Sequence, residues 1–160
     1  MTHRIVVERN SLRFAAAHFA TYGGELEPLH GHSYAVTVEI EGSLTPDSWV
    51  MDFGDVKDIT RALCKELHHK LILQMRNPLL HVSERDGEVE VKFGGKRYVV
   101  PAAETVKMEI DNTTAERLAE WFARRIEIEV AAREAANATM IRVGIEEMPG
   151  QSGWFEARLA

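Results

Sequence analysis

Two histidines separated by a single glycine, His30 and His32, follow a third, His18, which ends the stretch Phe-Ala-Ala-Ala-His at 14–18. In extended backbone, residues two apart project to the same face, so the His30 and His32 imidazoles can meet one ion. His18 shares the parity of Phe14 and Ala16 in a neighbouring segment. Three neutral imidazoles are a good set for Zn²⁺, and a three-ligand site keeps a fourth position open for water or substrate, as catalytic zinc does. Such a centre can polarise a substrate oxygen. The same letters also suit three ordinary core or surface histidines. The single cysteine, Cys64, means that any metal centre must be built from imidazole and carboxylate rather than thiolate clusters. Cys64 itself, beside an apolar helical stripe, reads as a core-edge residue.

Carboxylates form a second constellation. Over residues 140–147 the odd positions Ile141, Val143 and Ile145 make an apolar face that Glu147 continues, while Glu146 falls with Arg142 on the other side. Glu147 is therefore expected to be partly buried, and a buried carboxylate requires a cation, a cluster of N–H donors or a ligand that presents them. The alternative places it past the strand end, in solvent. Glu25 and Glu27, beside the histidine pair, read by their position as solvated loop acids. Thr113 and Thr114 read as helix caps, a role compatible with ligand contact at the helix N-terminus. His68, His69 and Lys70 close the first helix, where positive groups suit the helix dipole.

The elements that position these residues follow from periodicity. Residues 4–10 read as a strand leading into 14–18. From His32 the residues Tyr34, Val36, Val38 and Ile40 are apolar and Ser33, Thr37, Glu39 and Glu41 polar, the period of a half-buried strand. Asp52 and Asp55 offer capping carboxylates, and Val56, Ile59, Leu63 and Leu67 recur at helical spacing, which predicts a helix over about 55–68. Residues 88–100 alternate on both sides of Gly94-Gly95 and read as an inserted β-ribbon. The four residues 113–116, Thr-Thr-Ala-Glu, fit a capping box, and Ala115, Leu118, Ala119, Phe122, Ile126 and Val130 mark the buried face of a helix to about 136. Trp121 and Ile128 lie outside that stripe and suggest a second contact surface. Two strands joined at Pro149-Gly150 close the chain. The order is α+β, with two helices on one face of a largely antiparallel sheet.

A chain of 160 residues supports one well-buried core, so a single domain over 1–160 is expected, with a polar segment at 83–87 separating its halves. Lys and Arg number 19 against 25 Asp and Glu, a net charge of −6 that gives no electrostatic footprint for nucleic acid. No apolar run approaches the roughly 20 residues of a membrane span and none resembles a signal peptide, so residence in the cytoplasm is expected.

Five stretches occur together in family order: Phe-Ala-Ala-Ala-His at 14–18, Leu-His-Gly-His-Ser-Tyr at 29–34, Met-Asp-Phe at 51–53, Asn-Thr-Thr-Ala-Glu at 112–116 and Ile-Glu-Glu at 145–147. With them the chain resembles the 6-pyruvoyltetrahydropterin and 6-carboxytetrahydropterin synthase group of tunnelling-fold enzymes over about residues 5–158. The resemblance implies Zn²⁺ on His18, His30 and His32, a pterin anchored by Glu147 and contacted at Thr113 and Thr114, and a barrel-shaped homo-oligomer, commonly a hexamer, with sites at subunit interfaces.

Two departures change what the resemblance implies. The family's catalytic cysteine, four residues ahead of the first histidine of the pair, is replaced by Leu26, and the aspartate that precedes the relay histidine is replaced by His68, while His69 is retained. What remains, Glu27 three residues ahead of His30, resembles a subgroup that uses glutamate in place of cysteine. For that subgroup the implied reaction is cleavage of 7,8-dihydroneopterin triphosphate to 6-hydroxymethyl-7,8-dihydropterin in folate synthesis, with Glu27 as base and His69 as proton donor. The alternatives are a 6-pyruvoyl or 6-carboxy synthase activity and a non-catalytic or repurposed pterin or purine binder. Lys70 and Arg76 are candidates by position for holding the triphosphate.

Overall fold

The computed structural model describes residues 1–9 and 11–159; of the strand expected at 4–10, Asn10 lies outside these. In chain order the elements are β1 (His3–Val7), β2 (Arg13–His18), β3 (Thr21–Tyr22), β4 (Glu25–Leu26), β5 (His30–Gly42), α1 (Phe53–Leu67), β6 (Lys70–Gln74), β7 (His81–Arg85), β8 (Glu88–Phe93), β9 (Lys96–Pro101), β10 (Thr105–Met108), α2 (Ala115–Ala132), β11 (Ala138–Met148) and β12 (Gln151–Arg158). Seven strands form one sheet in the order β10-β6-β2-β5-β11-β12, with β1 also paired to β5. The pairings are antiparallel except β10 with β6 and β2 with β6.

The alternation in β5 is real: Tyr34, Val36, Val38 and Ile40 are buried to 1% exposure or less and the residues between them are half-buried. They face α1 and α2, which bring Val56, Ile59, Leu63, Leu67, Leu118, Phe122 and Ile126 onto the same side of the sheet. Full burial of each such side chain contributes about 1.5–3 kcal/mol. Asp52 caps α1 by accepting from the Asp55 N–H at 3.1 Å. Cys64 is buried against this core.

Four sequence expectations need correction. The Thr hydroxyl that caps α2 belongs to Thr114, which accepts from the Arg117 N–H, so the box starting at Thr113 does not form: the Thr113 side chain is buried against His18 instead. The helix ends at Ala132 rather than near 136. The ribbon has a third strand, β7, in the order β7-β8-β9, and residues 83–87 span its first turn rather than a divide between halves. Finally, β6 and β10 were not expected at all. β6 is Lys-Leu-Ile-Leu-Gln, buried on both faces, and a continuous apolar run following directly on a helix carries no alternation by which to recognise a strand.

Candidate metal centre and active site

The antiparallel register of β2 and β5 sets His18 directly opposite His30 and Ala16 opposite His32. A cross-strand pair and an i, i+2 pair thus share one histidine row, and the three rings lie 4.7–5.2 Å apart, centre to centre. Gly31 permits this close pairing, because a Cβ there would stand 3.0 Å from the Ala16 carbonyl oxygen. Glu147 reaches the same point from β11. There the ladder with β12 slips, pairing Glu146 with Ser152 and Met148 with Gln151, so Glu147 occupies a bulge of the kind that re-aims a side chain. Its carboxylate, 28% exposed, lies 3.0 Å from His32 Nε2 and 3.5 Å from His18 Nε2. One ligand atom from each of His18, His30, His32 and Glu147 falls within 4.8 Å of all the others.

The hydrogen bonds around these rings decide what they can hold. His18 Nδ1 donates to the Thr113 carbonyl at 3.0 Å, with the Thr113 hydroxyl at 3.1 Å, and His30 Nδ1 donates to the Pro28 carbonyl at 2.7 Å. With each Nδ1 carrying its proton, both Nε2 atoms of the neutral rings present lone pairs, yet they face one another at 3.1 Å. Burial first, and then the neighbouring His30, lower the His18 pKa to about 4, so at neutral pH the ring is uncharged and keeps only its Nδ1 proton. His32 Nε2 is buried without a hydrogen bond, since Glu147 approaches it at 3.0 Å but not in hydrogen-bonding geometry. Converging lone pairs and an orphaned ring nitrogen are the donor set of a divalent cation, the Glu147 carboxylate lies close enough to balance part of its charge, and the carbonyls behind His18 and His30 fix the orientation of the rings.

Beside this cluster is a cavity of about 230 Å³ lined by His18, Glu27, Thr114, Ala115, Glu116, Glu147, Ser152 and Gly153. Glu27 is held in the turn after β4: its N–H donates to the Ala20 carbonyl at 2.9 Å, and its Oε2 accepts from the Ala20 N–H at 3.3 Å. The start of α2 forms the opposite wall. Gly153 lets it approach, because a Cβ there would lie 2.6 Å from the Glu116 nitrogen. The structure therefore brings His18, His30, His32, Glu27, Thr113, Thr114 and Glu147 together.

It does not bring His69 to Glu27 within one chain. His69 adopts a left-handed backbone conformation (φ 59°) between α1 and β6 and stacks on His68 at 3.7 Å. It lines a separate cavity of about 510 Å³ with Ala15, Gly31, His32, Lys70 and Glu104. His68 Nδ1 accepts from the Ala15 N–H at 3.0 Å, which ties the end of α1 to β2. Lys70 donates to the Ala103 carbonyl. Arg76 pairs with Glu109 at 3.2 Å and lines another cavity around Trp121. There Arg125 covers the half-buried Trp121 ring at 4.9 Å; Ile128 is exposed.

Sequence reasoning missed two supporting residues. Asn112 accepts from the Thr21 and Thr113 N–H groups and donates to the Thr21 carbonyl, fixing the loop that carries Thr113. Tyr34 is fully buried below the histidines with an unpartnered hydroxyl, its pKa raised by burial and then by Glu147 and Glu27. Its place in the histidine row, two residues after His32, was the available signal. Cys64, with its thiol pushed up to about 12 by burial, offers no nucleophile.

Known proteins carry the same arrangement of elements. A 6-pyruvoyltetrahydropterin synthase from Plasmodium vivax superposes with a TM-score of 0.93 at 25% identity, over 99% of both chains. Another structure of that synthase, in which alanine replaces a catalytic glutamate, gives 0.94 at 24% identity, also over 99% of both. Among sequence relatives, a protein named as a 6-carboxy-5,6,7,8-tetrahydropterin synthase from Methanocaldococcus jannaschii is 34% identical over 92% of this chain and 91% of its own length. A dihydroneopterin monophosphate aldolase from Pyrococcus furiosus is 37% identical over 49% of this chain and 77% of its own. Residues 7–158 match the family model described as 6-pyruvoyl tetrahydropterin synthase, and with the α+β fold and the histidine site in place the chain belongs to that family.

Proposed function

We propose that this protein is a zinc-dependent lyase that converts 7,8-dihydroneopterin triphosphate to 6-hydroxymethyl-7,8-dihydropterin. The observation that carries this reading is the position of Glu27, which lines one cavity with His18 and Glu147 while the chain's only thiol is buried in the core. His18, His30 and His32 would hold Zn²⁺, which supplies a Lewis acid that makes a bound hydroxyl more acidic. A Plasmodium vivax synthase described with a catalytic glutamate gives a precedent for a carboxylate as the reacting group.

The chain's residues divide the work. The 2-amino and ring N–H groups of a pterin present two parallel donors to Glu147, and such charge-assisted bonds contribute about 1.5–3 kcal/mol each. Thr113 and Thr114 frame the α2 N-terminus, whose unsatisfied N–H groups suit the acceptor atoms of the ring. Glu27 takes the proton of the 2′-hydroxyl. The C1′–C2′ bond then breaks, C2′ becomes the aldehyde carbon of a two-carbon phosphorylated fragment, and the electron pair passes into the N5=C6 bond. Return of a proton to C1′ completes the product. His69 is the proposed donor, and because it faces a different cavity from Glu27 in one chain, the His69 of a neighbouring copy serves each site. That requirement supports a homo-oligomer, a hexamer by family resemblance, with sites at subunit interfaces.

The 6-carboxytetrahydropterin synthase name carried by the Methanocaldococcus jannaschii relative favours a second reading, in which Glu27 replaces the thiol in a synthase reaction. Incubating the zinc-loaded protein with dihydroneopterin triphosphate, and in parallel with the monophosphate, separates the two by product mass. A 6-hydroxymethyl product supports the lyase, a 6-carboxy or 6-pyruvoyl product the synthase. Zinc and pterin binding without turnover would leave a non-catalytic binder.

A further inference from the structure

The ribbon β7-β8-β9 pairs with no strand of the seven-stranded sheet, so it is joined to the rest of the molecule through side chains. Its inner face supplies Val89 and Val91, fully buried, with Phe93, Tyr98 and Val100 packed beside them. The surface they cover includes Leu71 and Leu73 of β6 and, beside them, the two segments that hold Glu27. The Phe19 ring packs against Tyr98, tilted by 32° with ring centres 5.0 Å apart, and Phe19 immediately precedes Ala20, whose carbonyl and N–H grip Glu27. Leu26, 3% exposed, immediately precedes Glu27 and enters the same apolar cluster. At the ribbon tip, just past the Gly94-Gly95 turn, Lys96 Nζ donates to the Leu26 carbonyl at 2.9 Å. Leu26 thus has a structural use of its own, as the peg by which the ribbon holds the turn after β4.

We propose that the ribbon is a positioning element for Glu27, acting through the Lys96 bond to the Leu26 carbonyl and the burial of Leu26 against β8 and β9. The proposal rests on Glu27 being the base. Lys96 is a positioning residue: it touches the backbone beside the base and fixes where the carboxylate points. The effect is large because a base displaced by about 1 Å loses on the order of 10²-fold in rate.

Lys96 is exposed, so replacing it leaves the core intact. The test compares the zinc-loaded wild-type chain with Lys96→Met and Lys96→Arg, and with Lys92→Met as a control on the same ribbon, where the Lys92 ammonium pairs with Glu90 at 3.2 Å. Lys96→Met is expected to speed hydrogen exchange of the Glu27 amide about tenfold. It should also lower kcat by at least about tenfold with KM within about twofold and zinc content unchanged. Lys96→Arg should restore both. Exchange and kcat equal to wild type in Lys96→Met, or an equal loss in Lys92→Met, would overturn the proposal. If the wild type itself turns over no pterin, the reading of Glu27 fails separately, and the exchange rates alone decide whether the ribbon holds this turn.

Discussion

A glutamine at position 27 keeps the length of the side chain and an oxygen for the Ala20 N–H, and removes only the base. Glu27→Gln is therefore expected to bind zinc and pterin normally and to lose roughly 10²–10⁴ in kcat, measured by steady-state kinetics beside metal analysis. The histidines make a different prediction. His18 titrates near 4 when folded and at 6.5 when unfolded, so on acidification the unfolded chain takes up the proton first. Metal-free protein should lose stability as pH falls from about 6.5 toward 4, and gain no pH dependence from this group above 6.5. Urea midpoints of chelator-treated protein at pH 7 and 5 should differ more for the wild type than for His18→Gln. At this scale strand parity placed His30 and His32 on one face, because a period of two fixes which side chains share it. Grouping them with His18 as one ligand set rested on the family resemblance, and Glu147, which lies beside them, was read as a pterin anchor. Tyr34 was expected on the buried face and Asn112 stood in a family motif, but the site role of neither was legible, since it lies in what surrounds them: an unpartnered hydroxyl for one and a distant backbone for the other.

The elements divide between those with a periodic signature and those held by neighbours. β5, α1 and α2 each carry an apolar stripe against the core, and each was legible within a few residues. β6, buried on both faces, and β7, largely exposed, have no stripe; their pairing partners define them. The slip of the α2 cap by one residue has a functional cause, since Thr113 is engaged with His18 and leaves capping to Thr114. The packing of α2 on β12 offers a test of this element. Gly153→Ala introduces a Cβ 2.6 Å from the Glu116 nitrogen, so the helix start must shift. The variant should be destabilised by about 1–3 kcal/mol in denaturant unfolding and bind pterin more weakly, while its zinc content is unchanged.

For the whole molecule, no helix among the described residues is long and apolar enough to cross a membrane. Glu27 and His69 open on different cavities of one chain, which turns the assembly into a chemical question. If each site draws Glu27 from one copy and His69 from another, Glu27→Gln and His69→Ala, each inactive alone, should regain part of the activity when unfolded and refolded together. Mixed oligomers that stay inactive would place both residues' roles within one chain or remove His69 from the chemistry. The central claim concerns the product itself. Zinc-loaded protein incubated with 7,8-dihydroneopterin triphosphate and followed by mass spectrometry should release 6-hydroxymethyl-7,8-dihydropterin and a two-carbon phosphorylated aldehyde in equal amounts; a product with a 6-carboxy or 6-pyruvoyl group, or unchanged substrate, would contradict it.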